Sequence, residues 1–77
     1  MENHINKAIK FVRENIDDSS ITDAWDKIDK FRCPLDMANP QLYDDIYDLM
    51  EEYGMDNDLP EMWWASYYDI EEIFERL

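Results

Sequence analysis

Seventy-seven residues with a formal net charge of −13 make one small, strongly acidic domain. Hydrophobic residues make up 45% of the chain and aromatic residues 14%, which is too much apolar material for a disordered acidic tail. The charge disfavours direct binding to nucleic acid or to anionic membrane, because phosphate contacts need Lys and Arg, and it points to a basic protein as partner.

The lone cysteine, Cys33, rules out an internal disulfide and fits a reducing cytosol. The opening MENHINKAIK lacks the apolar core of a signal peptide, and no stretch is apolar for the ~18 residues of a membrane helix. A soluble, cytoplasmic protein is expected.

Helical periodicity recurs four times and strand alternation is absent, so the expected fold is an all-α bundle of four short helices, about residues 4–16, 21–32, 40–53 and 59–76. In the first helix Ile5, Ile9, Val12 and Ile16 form the inner stripe, with Ala8 beside it; DDSS at 17–20 breaks it. In the second, with Ser20 or Thr22 as cap, Ile21, Ala24, Trp25, Ile28 and Phe31 share a face. CPLDMANP reads as a loop.

The third helix has the clearest start signal, Asn39 as N-cap and Pro40 at its first position. Leu42, Ile46, Leu49, Met50 and Tyr53 line its inner face. Gly54, the only glycine, stands where a left-handed C-terminal cap is expected, with Met55 closing back on Met50. The fourth helix follows Asp58 as N-cap and Glu61 as its capping-box partner. Its inner face reads Trp63, Tyr67, Ile70, Phe74 and Leu77, with Ile73 alongside. Trp25, Ile28, Ile46, Leu49, Tyr67, Ile70 and Phe74 are the expected common core.

Catalytic chemistry finds no footing. A single His4 near the N-terminus and Cys33 assemble no nucleophile–base set with any specificity. Carboxylate pairs such as Glu51/Glu52 and Glu71/Glu72 lie on solvated helix faces, whereas catalytic carboxylates need a desolvated cleft. For calcium, DMANPQLYDD and GMDNDLPE are acidic enough, yet the single glycine precedes the acids and the loop is too short for an EF-hand. The sequence implies no enzyme, no cofactor and no specific metal site.

Charge divides the chain in two. Residues 1–33 carry seven acids and six bases; residues 34–77 carry thirteen acids and only Arg76. On the third helix Asp44, Asp45, Asp48, Glu51 and Glu52 lie opposite the apolar stripe, the following loop adds Asp56, and the fourth helix adds Asp69, Glu72 and Glu75. A solvated face ordinarily mixes Glu with Lys at i,i+4; like charges at that spacing destabilise a helix by a few tenths of a kcal/mol per pair. Function supplies a reason for them. Carboxylates one turn apart are about 6 Å from one another, comparable to phosphates along a strand with about 3.4 Å of axial rise plus the winding. Tyr43, Tyr47, Trp64 and Tyr68 border this face, with Trp63 and Tyr67 in the core and Trp64 and Tyr68 partly exposed at the rim. Tyr and Trp are enriched among binding hot spots.

In general character this tiny acidic helical chain without an active site resembles phage-encoded inhibitors that mimic nucleic acid, the anti-restriction and anti-CRISPR proteins. The likeness is one of charge, size and fold class, and it implies a stoichiometric inhibitor seated on the nucleic-acid groove of a basic host protein. The alternatives are an immunity-type protein blocking a cationic toxin, and an adaptor whose charge serves solubility. Lys7, Lys10 and Arg13 of the first helix could pair with acids of the fourth helix or of a second copy, so monomer and homodimer both stay open.

Overall fold

The computed structural model describes residues 4–65 and 69–77, and among these it contains six helices and no strand. They are α1 (His4–Glu14), α2 (Asp18–Phe31), α3 (Leu35–Ala38), α4 (Pro40–Asp56), α5 (Glu61–Ala65) and α6 (Ile70–Glu75). The all-α expectation holds, with six helices where four were expected.

The first half follows the periodicity closely. Ile5, Ala8, Ile9 and Val12 of α1 are buried, and Ile21 and Ala24 of α2 meet them in one core. The DDSS segment both breaks and starts: Asp17 is the N-cap of α2 and its carbonyl accepts the Ile21 N–H at 3.3 Å, so the helix begins three residues earlier than the apolar pattern suggests. The far end differs more. Arg32 turns left-handed (φ 51°) and ends α2, and the expected loop folds into α3. Leu35 at 1% exposure then occupies the core, while Phe31, expected on the inner face, is 64% exposed under the Lys30 ammonium.

The organising element is α4. Asn39 caps it as expected, its side-chain oxygen accepting the Leu42 N–H at 3.1 Å, and Pro40 opens it. The helix does not stop at Gly54. It runs on to Asp56, and the left-handed residue is Asp58 (φ 56°), not Gly54, whose φ is negative. The closing bonds are those of a Schellman turn, Leu59 N–H to the Gly54 carbonyl at 2.8 Å and Asp58 N–H to the Met55 carbonyl at 3.3 Å. Asp tolerates this conformation better than most residues. Asp58 therefore terminates α4 instead of capping the next helix, and Met55, expected against Met50, is exposed.

Gly54 is needed for a different reason. A Cβ there would lie 2.2 Å from Trp64 Cε3 and 2.6 Å from Cζ3. The missing side chain is the seat of the Trp64 indole, which is 9% exposed and part of the core.

That seat also explains why residues 59–76 are not one helix. In a continuous helix Ile73, nine residues after Trp64, would point about 180° away from it. Both are buried, and interrupting the helix is what lets both face the core. Asp69 starts α6 with extended backbone and a carboxylate that accepts the Glu71 N–H at 2.9 Å. Of the expected core, Ile46, Ile70 and Phe74 are buried. Trp25, Ile28 and Leu49 are half-buried against it, and Tyr67 lies outside the described residues.

Candidate acidic binding surface

Two rows at one-turn spacing run along α4. Leu42, Ile46, Met50 and Gly54 form the inner row, all buried. Asp44, Asp48, Glu52 and Asp56 form the outer row, all exposed. Each outer residue is two positions past an inner one, about 200° around the helix, so burial of the one aims the other at solvent. Extension of the helix past Gly54 brings Asp56, expected in a loop, into line. The outer row spans about 18 Å, with successive carboxylates about 6 Å apart. Among the described residues none of its four acids meets a cation; Arg13 pairs instead with Asp18 at the start of α2.

Beside the row the remaining acids differ in freedom. Asp45 is half-buried and accepts a hydrogen bond from Gln41 Nε2 at 2.8 Å, and Glu51 is half-buried. Asp69 is exposed but engaged as the α6 cap, whereas Glu72 and Glu75 are exposed on α6.

A second grouping forms around Tyr43, which is half-buried. Its phenol is held above the ordinary tyrosine pKa, first by burial and then by the negative charges of Asp69, Asp36, Glu71 and Asp44. Those acids belong to α3, α4 and the start of α6. The fold thus gathers carboxylates from separate segments about one tyrosine. Asp36 and Glu71 were not among the expected site residues, since Asp36 lay in what read as a loop and nothing local in the sequence brings either to Tyr43.

The aromatic part of the expected surface is corrected. Trp64 is buried against Gly54 rather than exposed at the rim, so it cannot touch a partner without unseating. Trp63, expected in the core, is half-buried instead, with its ring 5.8 Å from that of Tyr53. The two tryptophans exchange places because α5 docks through the glycine gap. Tyr68 lies outside the described residues. Tyr43 and Tyr47 remain as half-buried aromatics flanking the row.

Compared with known protein families, with curated proteins and with solved structures, the chain matches none.

Proposed function

We propose that the chain is a non-enzymatic binding protein that presents the outer row of α4 to a basic protein, seating itself where that protein holds a nucleic acid. One observation carries this reading: Asp44, Asp48, Glu52 and Asp56 stand exposed in line at one-turn spacing, without a counter-cation among the described residues, on the longest helix of the fold. Like charges at this spacing work against the helix, so stability does not account for them. Their separation of about 6 Å suits side chains arranged to grip successive phosphates. Tyr43 and Tyr47 flank the row as contact residues, and the row itself steers encounter.

The test begins with capture of the basic partner and then measures association at low and high salt. The triple reversal Asp44→Lys, Asp48→Lys, Glu52→Lys should slow association by about tenfold or more at low salt and leave the fold intact. The wild-type chain should displace nucleic acid from the partner. If the triple variant associates like the wild type, the acidic row is not the binding surface. If it binds poorly but nucleic acid is not displaced, the acidic row serves an immunity-type or adaptor role without mimicry.

A further inference from the structure

A pocket of about 130 Å³ opens between α2, the α2–α3 junction and α6. One side is apolar: Trp25 and Phe74 stack at 4.7 Å with 28° between their planes, beside Ile28, Pro34 and Leu35. Glu71 and Glu75 line it too, one helical turn apart on α6. Glu71 also belongs to the carboxylates that act on Tyr43, so the pocket continues the acidic surface.

An apolar slot bearing an indole and two carboxylates matches one kind of side chain. Lys and Arg carry a long aliphatic stem under a charged head and lay the stem on apolar surface while the head stays hydrated. Trp is the aromatic that best attracts a cation. A carboxylate side chain would be repelled by Glu71 and Glu75, and a purely apolar one would leave that carboxylate pair without a counter-charge.

We infer that this pocket takes the side chain of one lysine or arginine of the basic partner, stem against Trp25 and Ile28, head between Glu71 and Glu75. The inference rests on the reading of the chain as a binder of basic protein, and it adds a discrete anchor that α4 does not supply. It also explains why acids are kept on α6 at Glu75, away from the helix start where they would favour the dipole.

Cys33, the only cysteine, also lines the pocket and is half-buried, so its alkylation rate reports occupancy in the native protein. The probe is N-acetyl-Gly-Lys-Gly-amide at low ionic strength, followed by NMR of the indole and backbone N–H groups and by Cys33 alkylation. Expected are saturable shifts of the Trp25 indole, slower alkylation, and an affinity lowered about five- to tenfold in Glu71→Gln/Glu75→Gln. The analogue with norleucine in place of lysine keeps the stem and loses the charge; it should fail to protect Cys33. Shifts spread over the α4 acids with Trp25 and Cys33 unaffected would overturn the proposal, as would equal protection by the norleucine peptide. Repeating the titration on the α4 triple reversal separates the two ideas: Trp25 should still shift there, even if α4 proves not to be a binding surface.

Discussion

Acidic residues act in opposite directions on α6 and on α4. On α6 three of the four stand at the start, Asp69 as the cap and Glu71 and Glu72 in the first turn, and only Glu75 lies at the far end. Negative charge there complements the helix dipole by about 0.3–1 kcal/mol per residue. A helix of six residues has little stability of its own and needs both that help and the burial of Ile70, Ile73 and Phe74. On α4 the first turn holds no acid and the last turn no base; Asp56 stands in that last turn, where the dipole disfavours it, and Asp44, Asp48 and Glu52 repel one another at one-turn spacing. The 17-residue helix tolerates this because its inner row is buried and both ends are closed by good caps. The acids of α6 are therefore explained mostly by the helix they start. Those of α4 oppose the helix that carries them, and this residue of unexplained charge is what the proposed binding role addresses.

The contrast breaks most visibly at the inner row. Ile46 is fully buried, so Ile46→Ala should lose about 2–5 kcal/mol in denaturant unfolding. A variant that unfolds at the wild-type midpoint would mean that α4 is turned the other way, with the acidic row inside.

Next in size is Gly54→Ala. The added methyl meets the Trp64 ring, and overpacking of this kind costs about 1–3 kcal/mol. In a Trp64→Ala background the same substitution should cost little or become favourable, because Ala is about 1 kcal/mol better than Gly inside a helix. Additive losses in the double variant would remove Trp64 from the glycine seat.

The dipole argument is sharpened by two substitutions of opposite sign. Asp69→Ala should destabilise by about 1 kcal/mol through loss of the α6 cap. Asp56→Lys should stabilise by a few tenths to about 1 kcal/mol, more at low salt. Thermal melts at low and high salt in which both variants shift the midpoint downward would show that the acids of α4 hold the helix after all.

The smallest effect concerns Tyr43. Burial, then Asp69, Asp36, Glu71 and Asp44, raise its pKa, so the folded state favours the neutral phenol. The stability tied to that proton is fully present below the unfolded tyrosine value of about 10 and is lost as pH rises through the higher folded value. Alkaline unfolding should therefore be slightly less steep in Tyr43→Phe. In an absorbance titration Tyr43→Phe should remove a phenol that ionises above the ordinary tyrosine value of about 10. If the phenol that the substitution removes ionises at the ordinary value or below it, burial and the neighbouring carboxylates do not act on Tyr43.

Much of this molecule was legible along the chain. The inner stripes of α1 and α4, the Asn39–Pro40 start and the opposition of acids to Leu42 and Ile46 all depend on neighbours three or four residues apart, and such spacing is written directly in the sequence. The helix ends were not. Gly54 carries the strongest local stop signal, yet α4 passes through it, because the Trp64 indole ten residues on needs the space that a side chain would fill. Residues 59–76 have an acceptable single-helix pattern, but Trp64 and Ile73 cannot both reach the core from one helix, and burial of both outweighs the broken turn. The carboxylates around Tyr43 and the Trp25–Phe74 pocket draw on residues as far apart as Trp25 and Glu75. The helical class, the sign of the charge and the Asp44–Asp48–Glu52 spacing follow from composition and one-turn periodicity alone, because they need no knowledge of what the helix packs against. Which tryptophan is buried, where α4 ends and which acids meet were decided only by tertiary packing, because each depends on the shape of a partner surface that no local window contains.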